Sequence, residues 1–270
     1  MYDTHTHTLH SDGGNTVDEM CRAAVEKGLR GITITDHADF FFYEDDTPQR
    51  INESVKKTRE AVATYGNRLS VLTGVEIGEY ASSPQRAKAL LSSSDFDTVL
   101  CAVHAVEGAK WEERYSKIPF DQTGTDEDIA SYLEAYLDCL LKNIDAFDFD
   151  ILAHLTCPAR YITGLHRRPT DFMMFEDKVR MILKRIVERG IALEWNTSGH
   201  RALLHYYDAQ NPQIFKLYRS LGGTLVTLGS DTHDTHGLAR GFYEAKALLK
   251  DLSFEHYCYY DKRKPVKVRL

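Results

Sequence analysis

Short apolar, β-rich runs in this chain end, one after another, on histidine or carboxylate side chains, and a helix-like segment follows each. They read Asp3-Thr4-His5-Thr6-His7, Thr35-Asp36-His37 after Gly31-Ile32-Thr33-Ile34, Gly74-Val75-Glu76, Ala102-Val103-His104, Leu152-Ala153-His154, and Ser230-Asp231-Thr232-His233 after Thr224-Leu225-Val226-Thr227-Leu228. Strict alternation of strand and helix is the signature of parallel strands joined by helical crossovers. When such strands close into a barrel, their C-terminal ends open on one face, where the fold gathers its chemistry. Side chains remote in sequence would meet there.

Apolar positions Val17, Met20, Cys21, Ala24 and Val25 predict a helix capped by Asn15 or Thr16 and ending at Gly28. Further helices are expected over residues 48–65, 84–91, 126–146, 172–189, 209–221 and 239–250, and strands over 69–76, 98–104, 150–154, 191–197 and 224–230. The stripe Ile129, Tyr132, Leu133, Tyr136, Leu137, Leu140 and Leu141 reads as packing. The tail from Phe254 to Leu270 predicts an edge strand that ends in a solvated basic stretch, Lys262-Arg263-Lys264-Pro265.

His5 and His7 lie at i and i+2 of a strand, so both point to one side and can grip one ion; Asp231 and His233 repeat the spacing. Imidazole and carboxylate donors suit zinc, manganese and iron, and no paired-cysteine motif points to a structural thiolate site. In a chain with 12 histidines one His-x-His pair can arise by chance. An ordinary core has no reason to end strand after strand on a metal-binding side chain, so the joint pattern predicts a metal centre. The five cysteines are scattered and odd in number, as expected of reduced thiols in the cytosol. Cys101 reads as a small buried residue, and Cys157, close after His154, as packing rather than a ligand.

The order and local sequence of these stretches resemble the PHP superfamily, the polymerase and histidinol phosphatase domain. The matching motifs are Asp3-Thr4-His5-Thr6-His7-Thr8-Leu9-His10-Ser11-Asp12-Gly13, Ile34-Thr35-Asp36-His37, Thr73-Gly74-Val75-Glu76-Ile77, Ala102-Val103-His104, Ile151-Leu152-Ala153-His154 and Gly229-Ser230-Asp231-Thr232-His233-Asp234. The length, Asn196-Thr197-Ser198-Gly199 and Cys157-Pro158-Ala159-Arg160 are similar to the stand-alone histidinol-phosphate phosphatase branch. The resemblance implies an α/β fold, a distorted (β/α)7 TIM-like barrel with its active site at the C-terminal strand ends, holding two or three divalent metal ions. It implies that His5, His7, Glu76 and Asp231 hold one ion, that Glu76 bridges to a second held by His104 and His154, and that Asp12, His37 and His233 hold a third. Asp12 stands where some members place a histidine.

No linker, internal repeat or low-complexity block divides residues 1–270, and a single phosphatase domain is expected. With 33 basic against 40 acidic residues, a net charge of −7 and no basic stripe, nucleic acid is not an expected partner. No apolar run approaches bilayer length, so no membrane partner is expected and the chain is placed in the cytoplasm. Oligomeric state leaves no sequence signal.

Three long loops leave the catalytic ends of strands and are expected to rim the substrate pocket. The first carries Phe40 to Tyr43 and Glu44 to Asp46, the second Trp111 to Glu113, Arg114 and Tyr115, the third Arg160 and His166-Arg167-Arg168. Aromatic rings there would flank an imidazole and acidic groups an ammonium. Phosphate binding needs a guanidinium fork, for which Arg160 is the first choice and Arg201 the second, with Asn196 as a further substrate contact. Glu194 shares a strand face with Asn196, either pointing inward with it or held in a structural ion pair.

The expected reaction is hydrolysis of a small phosphomonoester. L-histidinol phosphate, the substrate the resemblance implies, belongs to histidine biosynthesis. Metal ions would acidify a water that attacks phosphorus in line, Asp231 or His233 would handle protons, and Arg160 would stabilise charge on the transferring group. The alternatives are a nucleotide or nucleoside bisphosphate phosphatase of the same superfamily and, from another class, a DNA-binding proofreading or regulatory module.

Overall fold

The computed structural model describes residues 1–198 and 204–270. In chain order the elements are β1 (Tyr2–Thr6), α1 (Val17–Glu26), β2 (Gly31–Ile34), β3 (His37–Asp39), α2 (Thr47–Tyr65), β4 (Ser70–Gly78), α3 (Pro84–Leu91), β5 (Thr98–Ala102), α4 (Phe120–Thr123), α5 (Asp126–Ala146), β6 (Ile151–Leu152), α6 (Cys157–Ala159), α7 (Glu176–Glu188), β7 (Ala192–Asn196), α8 (Leu204–Ser220), β8 (Val226–Gly229), α9 (Phe242–Asp251), β9 (His256–Asp261) and β10 (Lys264–Arg269). Capping boxes start two of the helices. Thr16 accepts from Glu19 N and Glu19 accepts from Thr16 N, and Thr125 and Asp128 do the same ahead of α5. Of the predicted α5 stripe all but Leu141 are buried.

The strands run parallel in the order β1-β2-β4-β5-β6-β7-β8. Both β2 and β3 pair with β4, and their registers run on, with Ile34 opposite Thr73 and His37 opposite Glu76. They are one stave interrupted at Thr35-Asp36. The sheet comes round on itself where Asp231 N donates to His5 O (2.8 Å) and His7 N to Thr232 O (2.9 Å). The result is the expected α/β barrel with helices outside. Leu100, Ala102, Ile151, Ala153 and Ala192 fill its lower interior together with Cys258 and Tyr260 from β9.

Those last two residues mark a difference from the expected tail. The segment after Phe254 is a two-stranded antiparallel hairpin, and its inner strand covers the N-terminal mouth of the barrel. Tyr257, Cys258 and Tyr260 are buried. Tyr2 N donates to Tyr257 Oη (3.2 Å), and the rings of Tyr2 and Tyr259 stack at 3.9 Å. Lys262 and Arg263 turn the hairpin with positive φ (51° and 62°), and their N–H groups donate to Asp97. The basic stretch is solvated, as expected. Alternation of Tyr257, Tyr259 and Val266, Val268 suits a half-covered strand in either setting, so only the contacts decide between edge and lid. Among the described residues no helix is long and apolar enough to cross a membrane.

Candidate metal centre

Local backbone features aim the site residues. Between Asp3 and Thr6 the register of β1 against β2 shifts, which is a bulge that re-aims the strand. Asp3 holds it in place by accepting from Ser230 N (3.0 Å) and Ala239 N (2.9 Å). His154 (φ 23°) and Asp231 (φ 49°) carry left-handed backbone that non-glycine residues avoid. Each is pinned by its own N–H, His154 to Glu194 Oε2 (2.7 Å) and Asp231 to His5 O. Where β2 gives way to β3, buried Asp36 accepts from Thr8 N, Thr8 Oγ1, Ser11 Oγ and Ser54 Oγ at 2.6–2.8 Å. It fixes the loop that presents Asp12. The same loop approaches too closely for a side chain at Gly13, whose Cβ would stand 2.7 Å from the His7 carbonyl.

Glu76 is the centre of the resulting cluster. Its Oε2 lies 2.7 Å from His37 Nδ1, 3.3 Å from His5 Nε2 and 3.6 Å from His7 Nε2. Its Oε1 lies 2.8 Å from His154 Nε2 and 3.2 Å from His104 Nε2. Asp231 Oδ1 is 3.3 Å from His7 Nε2 and 3.9 Å from His5 Nε2. Asp12 Oδ1 is 3.0 Å from His233 Nε2 and 3.5 Å from His37 Nε2. Among the described residues, donor atoms within 4.8 Å of one another form four overlapping groups: His5, His7 and Asp231; His5, Glu76 and His154; His37, Glu76 and His104; and His7, Asp12, His37 and His233. Every residue singled out in sequence as a ligand is in this cluster. His37 faces both Glu76 and Asp12, so it stands between two groups rather than in one.

Burial makes the cluster costly by itself. His5 Nε2, both ring nitrogens of His7, Glu76 Oε2 and His154 Nδ1 are buried without a hydrogen bond, whereas buried polar atoms normally have partners. The ring of His7 stacks on His37 at 4.1 Å and on His233 at 4.3 Å. Burial together with the charges of those two rings pushes His7 down to about 4. Burial would raise Glu76, but His5, His37 and His104 outweigh it and hold the carboxyl well below its usual range. Burial would lower His5 and His104 too, but the carboxylates beside them outweigh it and raise both. Once such rings give up their protons, imidazole nitrogens and an ionised carboxylate converge in a donor set that could hold divalent ions.

A cavity of about 490 Å³ opens above the cluster, bordered by Asp12, His37, His104, His154, Asp231 and His233. Its other walls are Arg114, Tyr115, Ser116, Cys157, Arg160 and Tyr161. Arg160 Nη2 donates to Asp231 Oδ2 (2.8 Å) and Asn196 Oδ1 (3.0 Å). Asn196 is buried behind that arginine and donates to Glu194 Oε2 (3.0 Å) and to Asp231 Oδ2 (3.3 Å), so it meets the residues that border the cavity and not the cavity itself. Arg201 lies outside the described residues. Cys157 packs in the core and also borders the cavity. Burial would raise its thiol, but His154 and Arg160 outweigh that and lower it.

Of the loop aromatics expected at the rim, Tyr115 borders the cavity and three others are elsewhere. Phe40 is in the core, Tyr43 lies under the Arg86 guanidinium, and Trp111 packs edge-on against Phe120 and Tyr132. Glu44 and Asp46 pair with Arg50, and Glu112 accepts from Gly108 N. These groups have partners within the protein, and the aromatic wall of the cavity is the expected Tyr115 together with Tyr161. Sequence reading passed over Asp39, buried on β3 with its Oδ1 3.0 Å from His104 Nδ1 and its Oδ2 2.8 Å from Arg114. The available signal was its spacing at i+2 from His37, which places both on one face.

The PHP domain family matches residues 3–198. The chain is 29% identical over 265 residues to a probable histidinol-phosphatase of Clostridium acetobutylicum, covering 97% of this chain and 98% of that one. It is 29% identical over 273 residues to a probable histidinol-phosphatase of Thermotoga maritima, with both chains covered completely. With the histidinol-phosphatase of Lactococcus lactis it shares 25% over 259 residues, 94% of this chain and 91% of the other. The crystal structure of histidinol phosphate phosphatase from that organism, complexed with zinc, L-histidinol and phosphate, has the same fold, with a TM-score of 0.80 at 22% identity over 98% of each chain.

Proposed function

The chain belongs to the PHP domain family, and on that premise we propose that it is a metal-dependent phosphomonoesterase that hydrolyses L-histidinol phosphate in histidine biosynthesis. The observation that carries the reading is Glu76, ringed by five imidazoles, with ring nitrogens of His5, His7 and His37 buried without a hydrogen bond, beneath a cavity that Arg160 borders. Support for the substrate comes from relatives named histidinol-phosphatase that align over nearly their whole length. We read residues 1–270 as one catalytic unit working in the cytoplasm, where its free thiols stay reduced. Its net charge of −7 offers nucleic acid no footing.

Two or three ions of zinc, manganese or iron fit the donor set. His5, His7, Glu76 and Asp231 would hold one, Glu76, His104 and His154 a second, and Asp12, His37 and His233 a third. The chemistry they supply when bound is Lewis acidity, which neutralises phosphate oxygens and lowers the pKa of water. Arg160 presents its guanidinium to the phosphoryl oxygens, aimed by Asp231 and Asn196. Water attacks phosphorus in line, the alcohol leaves with a proton, and phosphate and L-histidinol result. Asp231 and His233, which border the cavity, handle the protons. No covalent phosphoenzyme forms.

Phosphate release across a panel of phosphorylated metabolites with one metal tests the reading. L-histidinol phosphate should exceed every mono- or bisphosphorylated nucleotide at least tenfold in kcat/KM, about 1.4 kcal/mol in transition-state terms. A nucleotide that wins the panel transfers the assignment to the nucleotide phosphatases of the family.

A further inference from the structure

Two buried carboxylates stand just outside the donor set, and each grips the far side of an imidazole that faces Glu76. His5 Nδ1 is 2.7 Å from Glu194 Oε1 while its Nε2 is 3.3 Å from Glu76 Oε2. His104 Nδ1 is 3.0 Å from Asp39 Oδ1 while its Nε2 is 3.2 Å from Glu76 Oε1. Glu194 and Asp39 are 3% and 5% exposed, so these bonds are made away from water. We propose that Asp39 and Glu194 are positioning residues that hold the Nδ1–H tautomers of His104 and His5, leaving each Nε2 lone pair aimed at the metal centre. The inference rests on the metal-dependent reading above.

A glycine on a neighbouring strand makes room for each grip. Gly78 stands opposite Asp39, and a Cβ there would lie 2.3 Å from Asp39 Oδ1 and 3.2 Å from His104 Nδ1. At Gly229 a Cβ would lie 2.0 Å from Glu194 Oε1 and 2.7 Å from His5 Cβ. Neither glycine has a positive φ, so backbone freedom does not require it there. What both share is a carboxylate laid across the missing side chain.

Each carboxylate makes a further contact through its other oxygen, which fixes its orientation. Glu194 Oε2 also accepts from His154 N, which holds that residue in its left-handed conformation, and from Asn196 Nδ2. Asp39 Oδ2 meets Arg114, which borders the cavity. An amide in either place keeps the size but not the pattern. In Glu194→Gln the new NH2 group must confront either His5 Nδ1–H or the N–H of His154. In Asp39→Asn it must confront either His104 Nδ1–H or the Arg114 guanidinium.

Zinc dissociation constants measured by chelator competition, with the melting temperature of the metal-free protein alongside, test the proposal. Each amide variant should bind zinc 10- to 100-fold more weakly than the parent, the range typical when the partner of a metal-bound histidine is removed. In a His104→Ala background Asp39→Asn should have no further effect on zinc affinity, because the ring it orients is gone. Zinc affinity within threefold of the parent in both variants overturns the proposal, as does full additivity with His104→Ala. A variant that melts lower without metal yet binds zinc normally when folded shows a structural role only and also overturns it. A parent that binds no zinc overturns this inference and the metal-dependent reading together, whereas normal variants of a zinc-binding parent leave that reading standing.

Discussion

The proposed function gives Arg160 two duties that a substitution can separate. It is bound to Asp231 and Asn196, yet it borders the cavity and is not itself a metal donor. Arg160→Ala should therefore lower kcat/KM by about 2–4 kcal/mol, the size expected for a lost electrostatic donor, while zinc content stays that of the parent. Metal analysis beside steady-state kinetics decides: loss of metal would make the arginine structural, and unchanged kinetics would move the phosphate role to Arg201. At this scale every candidate donor but Asp12 was legible because it ends or follows an apolar run, a one-dimensional mark, and Asp12 came only with the family resemblance. Asp39 was not legible, since its meaning lies in contacts with His104 and Arg114, far along the chain. Phe40 and Trp111 misled for the complementary reason. An aromatic in a loop reads the same whether it faces ligand or core, and here Tyr43 meets Phe40 while Phe120 and Tyr132 meet Trp111.

Strands and loops set the tolerances within which those side chains work, and β8 has the least to spare. Its last residue, Gly229, lies under Glu194 and against His5, so Gly229→Ala must displace one of them. We expect a loss of about 1–3 kcal/mol in folding stability from overpacking, read by denaturant titration, with weaker zinc binding in the folded protein. Unaltered stability would mean that Glu194 swings away freely and that the packing around it is loose. Most elements were legible from periodicity: α3 and α5 coincide with their predicted spans, and β7 and β8 differ only at the ends. What periodicity could not convey was the break at Thr35-Asp36, which divides one stave into β2 and β3 and turns Asp36 toward the Asp12 loop. Nor could it place the hairpin of β9 and β10 beneath the barrel, because a strand records which face is apolar and not what covers it.

Across the whole barrel, the donors come from or just beyond β1, β3, β4, β5, β6 and β8, so ions bound at the centre would tie together strands that are distant in sequence. A ligand that binds only the folded state stabilises it by about 4.1 kcal/mol at a thousand times its dissociation constant. Chelation should accordingly lower the melting temperature markedly, and the size of the drop should depend on pH. The sign follows from His154. Burial would lower this ring, but Cys157 and Glu76 outweigh it and push the metal-free imidazole up to about 10. It is therefore protonated at neutral pH without metal and must lose that proton to become a donor. Zinc uptake at pH 7 should release protons, which calorimetry in buffers of different ionisation enthalpy would count. Affinity should weaken as pH falls, since protons compete with the ion for the same lone pairs. The gap in melting temperature with and without chelator should then be wide at pH 8 and narrow toward pH 6. A gap that is absent, or that widens on acidification, would mean that the histidine cluster does not hold the ions on which the phosphatase reading depends.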